Sequence, residues 1–226
     1  KAVINKQDLI KYQGINNSKI SVIPMGVIGA SVIKKMSKSK ARKKLELSKK
    51  DKVLLMFGNI REYKGLDILL KSMVLSINEI QGLKLIIAGP CWTNWSKYQK
   101  IIDNYQLEKR IITDINFINN DKQSLYFSAS DVVVLPYTHF NAQSAVGLLS
   151  LYFNKPMVVT NEGGLSNLVK SRKVIAKTNN TEDLSRKITY AFSNLSKLTL
   201  DSSELAAKYS WDSIAKKTIN LYNKII

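Results

Sequence analysis

From residue 52 onward the chain alternates between short apolar runs of strand length and segments whose apolar positions recur at helical spacing. The runs cover residues 53–57, 83–88, a ragged pair at 111–112 and 115–118, then 131–135, 157–160 and 173–176. Their apolar character is continuous rather than alternate, which is the mark of strands covered on both faces of a parallel sheet. Between them, residues 65–80, 95–105, 121–128, 144–153 and 165–169 read as helices. Thr181 caps another, with Glu182 and Asp183 in its first turn, where the helix dipole favours acids. The connections are short. This pattern predicts an α/β fold, a doubly wound (Rossmann-like) parallel sheet of six strands. Sheets of that kind take ligands at the carboxyl ends of the strands, close to the point where the strand order reverses. The residues so placed are Arg61 and Lys64, Gly89 to Trp92, Phe117 and Ile118, Tyr137 to Ser144, and Glu162 to Gly164.

The stretch KVLLMFGNIREYKG, residues 52–65, carries the clearest chemical signal. A buried strand stops at Gly58, a polar loop brings Arg61, and Lys64-Gly65 opens a helix. Free N–H groups at a helix start point toward an anion, the helix dipole favours negative charge, and two cations close the site. An ordinary βα turn with a solvated Arg and Lys has the same sequence pattern, so the choice rests on the rest of the chain.

The 226 residues carry a formal net charge of +18. Residues 1–50 hold 13 basic side chains against Asp8 and Glu46, giving +11 from that part alone. Such a balance is compatible with an anionic membrane surface, with nucleic acid, or with lysines that merely solvate a surface. No nucleic-acid module motif accompanies the lysines, and aromatic residues do not interleave with them, so nucleic acid ranks last. A single cysteine, Cys91, gives no disulfide framework, and with His139 the only histidine no histidine/cysteine metal centre is expected. No apolar run approaches the length of a membrane span, and the first residues lack a signal-peptide pattern. These features predict a cytoplasmic protein, with a peripheral position on the inner membrane face left open.

Before the sheet, residues 1–13 read as a short helix ended by Gly14, and residues 19–23 as a short strand stopped by Pro24. Residues 31–47 are lysine-rich, helical from about Lys40, and read as a linker rather than core. After the sheet, residues 199–226 read as helical, with Ser210 as a cap and Trp211, Ile214, Thr218, Leu221, Tyr222 and Ile225 on one face. Four units follow: 1–30, an interdomain segment closing a preceding domain; 31–50, a basic linker helix; 51–198, the ligand-binding domain; and 199–226, C-terminal helices.

Several segments, taken in order, resemble the family 4 glycosyltransferases of the GT-B fold, specifically their C-terminal, nucleotide-sugar-binding domain. ISVIPMGV (20–27) resembles the family's interdomain segment, and FGNIREYKG (57–65) its "FGxIRxYKG" loop. DVVVLPY (131–137) resembles the strand before the donor site, QSAVGLLSLYFNKP (143–156) a helix of one branch, and VVTNEGGLSNLV (158–169) the "VVTxxGGLPELV" segment. YSWDSIAKKTINLY (209–222) resembles the terminal helix.

The resemblance implies metal-free, cofactor-free retaining transfer of a sugar from a UDP-, GDP- or ADP-sugar to a hydroxyl acceptor, in polysaccharide or glycolipid synthesis. Arg61 and Lys64 would hold the donor diphosphate and stabilise the charge on the leaving nucleotide, lowering the barrier directly. Gly58 belongs to the same loop. Backbone at Phe117 and Ile118 would meet the base, Asn141, Gln143 and Ser144 would face the sugar, and Gly163-Gly164 would admit main-chain N–H groups to phosphate or sugar. An acceptor-binding domain or subunit is the implied partner, and it is also where the family places its catalytic histidine.

The chain departs from the family pattern at its glutamates. Asn141 and Leu149 stand at the usual pair, Ala145 replaces a glycine, and Asn167 replaces the glutamate of "GGLPE". Asparagine can still exchange hydrogen bonds with a sugar, but leucine cannot meet a ribose. A non-catalytic nucleotide or nucleotide-sugar binding module is therefore the alternative function, with a basic nucleic-acid-binding protein behind it.

Overall fold

The computed structural model describes residues 6–27 and 32–224. The six strands are β1 (Lys52–Phe57), β2 (Leu83–Ala88), β3 (Ile111–Asp114), β4 (Val132–Leu135), β5 (Met157–Thr160) and β6 (Ile175–Ala176). They form one all-parallel sheet in the order β3-β2-β1-β4-β5-β6. The chain runs outward from β1 to β3 and then returns to β4 on the other side of β1. The strand order therefore reverses between β1 and β4, and the doubly wound sheet expected from the sequence is the one observed.

Because strand side chains alternate, each apolar run feeds two cores. Val53, Leu55, Ile86, Val133, Leu135 and Val159 point to one face, Leu54, Met56, Leu85, Ile87, Val134 and Val158 to the other. The first face is covered by α5 (Asn120–Ala129), α6 (Ala145–Tyr152) and α8 (Leu195–Lys208), through Phe127, Leu148, Leu151 and Leu205. The second is covered by α3 (Leu66–Ser76), α4 (Ser96–Asn104) and α7 (Thr181–Ser193), through Leu69, Leu70, Met73, Tyr98, Leu184 and Ile188. The remaining helices are α1 (Lys6–Gln13), α2 (Lys38–Lys44) and α9 (Trp211–Tyr222).

The basic segment expected as a linker is in fact docked. Helix α2 lies against α5 with Ala41 and Arg42 buried. The Arg42 guanidinium donates to Asp131 Oδ2 at 2.8 Å and to the carbonyls of Ala129, Ser48 and Lys49 at 3.1, 3.1 and 3.2 Å. Asp131 Oδ2 also accepts from the Val53 amide at 2.8 Å, so the start of β1, the start of β4 and α2 share one carboxylate. Lys38 is its second salt-bridge partner. An arginine that is solvated by composition becomes interior here because four acceptors converge on it.

Other expectations shift at the margins. Of the strand expected at 19–23, Lys19 ends a 3-10 turn and residues 20–23 pair with no strand; the segment is held instead where the Val27 amide donates to Tyr209 O at 2.8 Å. Residues 115–118 leave the sheet, since Asp114 turns its carboxylate back to Asn116, Lys122 and Tyr126. Strand β6 is short because residues 172–174 form a 3-10 turn, and the helix read at 165–169 is also a 3-10 turn, Leu165–Leu168. The cap of α7 is Asn180 rather than Thr181, its side chain accepting from the Asp183 amide at 2.7 Å. A division at residue 199 falls inside α8, whereas Ser210 does cap α9. Ile214 is the buried residue of α9, while Trp211 and Tyr222 are exposed. The expectations for residues 1–5, 28–31 and Ile225 lie outside the described residues. No described helix is long and apolar enough to cross a membrane.

Candidate functional site

The strand exits around the order reversal are in backbone contact, and glycines permit it. Gly58 ends β1 with φ +94° and Gly89 ends β2 with φ +142°. A Cβ on Gly89 would lie 2.3 Å from Gly58 O, which no side chain can occupy. Beyond them the two loops continue to pair: the Ile60 amide donates to Pro90 O at 2.8 Å, and the Trp92 amide to Ile60 O at 2.9 Å. This pairing sets the exposed Arg61 guanidinium 5.0 Å from the centroid of the Trp92 ring.

On the other side of β1 the contact is with the exit of β4. Residues Glu62–Lys64 make a 3-10 turn, and Gly65 leaves it in the left-handed region at φ +69°. A Cβ there would meet Pro136 O at 2.1 Å. The Thr138 amide donates to Tyr63 O at 2.7 Å and fixes the two loops together.

This geometry folds Lys64 inward. It is 7% exposed, and its Nζ donates to Tyr137 Oη at 2.6 Å. Burial pushes the ammonium down to about 8, with the nearby positive charge of Arg61 adding to the effect. Burial also raises the phenol of Tyr137, so it is neutral throughout the ordinary pH range. Among the described residues neither Arg61 nor Lys64 has a carboxylate partner; the intervening Glu62 is paired with Lys97 at 2.9 Å. Two cations without counter-ions stand at the reversal point, and an anion is what such a place can hold.

The remaining expected residues divide into two groups. Ser144 caps α6, its Oγ accepting from the Gly147 amide at 3.2 Å, and lies 3.4 Å from Tyr137 Oη, so it joins Gly58, Arg61 and Lys64. Gly163, with φ +51°, lies so close beneath the 138–144 loop that a Cβ would be 2.2 Å from Phe140 O; Gly164 faces Ala142 O. Asn141 and His139 are exposed on that loop. Gln143 is engaged elsewhere, its Oε1 accepting from the Met25 amide at 2.7 Å. Phe117 and Ile118 sit beyond β3, two strands from β1; Phe117 is 81% exposed, while Ile118 is buried and its carbonyl accepts from Gln123. Leu149 is a core residue, packed on the α6 side of the sheet.

Tyr137 and Trp92 fall among the strand-exit residues picked out by the sequence, but no signal in the sequence paired them with Lys64 and Arg61. A further cleft of about 560 Å³ opens at the exits of β5 and β6, lined by Asn161, Asn167, Lys170, Arg172 and Lys177 among others. No sequence pattern pointed to this cleft. Among the described residues no group of three His, Cys, Asp or Glu could ligate a metal ion.

The family model for glycosyl transferases group 1 matches residues 37–218. The chain belongs to this family. An uncharacterized glycosyltransferase of Methanocaldococcus jannaschii is 27% identical over 194 residues, covering 80% of the chain and 47% of the relative. A glycosyltransferase from Rickettsia africae is similar in structure, with a TM-score of 0.80 at 20% identity, over 97% of this chain and 61% of that one. Anabaena HepE in complex with UDP gives a TM-score of 0.79 at 17% identity, with the same coverage. The chain thus spans about half the length of the curated relative and three fifths of these structures, whose likeness shows the α/β fold of group 1 glycosyl transferases.

Proposed function

We propose that this chain is the donor-binding half of a retaining glycosyltransferase that transfers a sugar from a nucleotide-sugar to a hydroxyl acceptor, in polysaccharide or glycolipid synthesis. The observation that carries it is the pair Arg61 and Lys64 at the reversal of strand order, with no carboxylate partner among the described residues and with Lys64 joined through Tyr137 to the start of α6. The diphosphate of the donor supplies the negative charge that these cations lack, and that charge grows as the sugar–phosphate bond breaks. Fixed cations then stabilise the transition state more than the ground state, without a metal in this scheme. Gly163-Gly164 and Ser144 offer main-chain and hydroxyl groups to the sugar, Asn141 its exposed amide, and the β3 exit at Phe117 and Ile118 a surface for the base. The acceptor comes from a further domain or subunit, and the exposed lysines of α2 provide contact with an anionic membrane surface.

The test is a thermal-shift panel of UDP, GDP, ADP and their common sugars, since binding to the native state raises the melting temperature. One nucleoside diphosphate should stabilise the chain, with UDP the first to try because HepE was solved with it. Arg61→Ala and Lys64→Ala should each abolish the shift. No shift with any nucleotide, or an unchanged shift in both variants, would refute the assignment.

The buried Leu149 favours a second reading, a nucleotide-sugar binding module without turnover, because no carboxylate stands at that position to hold the ribose. Donor hydrolysis or transfer on adding an acceptor-binding domain supports the first reading; binding without turnover under those conditions supports the second.

A further inference from the structure

Lys64 is a buried cation whose described neighbours include no carboxylate, so something neutral must hold it in place. Its Nζ lies 2.6 Å from Tyr137 Oη and 4.3 Å from the centroid of the Tyr137 ring, so hydroxyl and ring face both engage the ammonium. Tyr137 is itself fixed. It is 1% exposed and meets Tyr63 edge-on at 5.8 Å and Phe140 at 5.1 Å. A phenol oxygen that accepts from Lys64 keeps its own proton, and the acceptor in reach is Ser144 Oγ, at a long 3.4 Å. Ser144 Oγ accepts in turn from the Gly147 amide. A chain of polar contacts therefore runs from the ammonium, through one phenol, to the first turn of α6.

We propose that Tyr137 is a positioning residue, whose hydroxyl holds the Lys64 ammonium at the mouth of the anion site and ties it to Ser144 at the start of α6. A carboxylate in that place would neutralise the lysine and compete with a phosphate. A phenol leaves the charge intact and occupies one of three N–H donors, so two remain for phosphate oxygens. The charged or titratable groups facing Lys64 are Arg61 and Tyr63 from its own turn and Tyr137 from the β4 exit; Glu62 is turned to Lys97. What Lys64 meets depends on the donor-site reading; the hold of Tyr137 on Lys64 does not.

Tyr137→Phe keeps the ring and its packing and removes Oη alone. With lysines labelled at Cε, the NMR titration of Lys64, assigned by its absence from the Lys64→Arg spectrum, follows the ammonium with no ligand present. The neutral acceptor favours the charged form, so its loss should move the Lys64 midpoint to lower pH, by about one unit. UDP affinity at pH 7 should fall on the order of tenfold, with a cooperative melt retained. An unchanged Lys64 midpoint would overturn the proposal, including the case in which UDP affinity falls, since that loss would then be structural. If the wild-type chain binds no nucleoside diphosphate, the donor-site reading fails while the lysine titration still decides whether Tyr137 holds Lys64.

Discussion

On the proposed donor-site reading, Lys64 sets stability against ligand binding at a single residue. Its ammonium is buried with no counter-charge among the described residues, so folding is opposed by desolvation of the charge. The folded pKa, about 8, lies below the ordinary value of 10.5. Between these two values the unfolded chain binds more protons than the folded one, so this group makes stability rise with pH across that window. At pH 7 the full cost is present. Lys64→Met, which keeps the apolar stem, should therefore stabilise the unliganded protein by about 1–3 kcal/mol at pH 7. That gain should shrink as the pH approaches 10.5, and nucleotide stabilisation should be absent at every pH. Urea unfolding of both proteins at the two pH values measures this; a less stable Lys64→Met at pH 7 would contradict it. The cations themselves were legible, because strand, glycine and basic loop lie within 14 residues of one another. Tyr137 as their partner was not, since it follows Lys64 by 73 residues and meets it only through the pairing of β1 with β4.

Among the elements, those buried on both faces were the most legible. Strands β2 and β5 occupy the expected residues, because an apolar run covered on two sides has few alternatives. Legibility falls off toward the sheet edges. At β3 the side chain of Asp114 ends the strand early, and at β6 a 3-10 turn takes the first residues. The docking of helix α2 is hidden for a different reason: lysine-rich composition describes its exposed side and conceals the Arg42–Asp131 pair that anchors it. Removing Arg42 leaves the buried Asp131 carboxylate only the half-exposed Lys38 and the Val53 amide, and three carbonyls lose their donor, so Arg42→Ala should cost about 3–5 kcal/mol, seen as a lower urea midpoint with no change in slope. A loss below about 1 kcal/mol would mean that α2 is held by Ala41 and its neighbours alone.

Across the whole molecule, the proposed anion site and the basic helix are built from different parts of the sheet. Arg61 and Lys64 stand at the carboxyl ends of the strands, while Asp131 anchors α2 at the amino end of β4. Lys40, Lys43 and Lys44 are exposed on α2. A membrane contact made there leaves the opposite rim open. Reversing all three lysines to glutamate should weaken sedimentation with phosphatidylglycerol vesicles by about 1 kcal/mol for each charge removed, without altering nucleotide-induced stabilisation. Equal binding to neutral phosphatidylcholine vesicles, or an unchanged triple variant, would rule out this surface. The bond from the Met25 amide to Gln143 Oε1 has a wider consequence. It spans 118 residues and joins the segment leading into the domain to the loop that starts α6. Whatever free energy this bond contributes is common to both stretches, so loss of order in one removes that contribution from the other, and by thermodynamic reciprocity the influence runs equally in both directions.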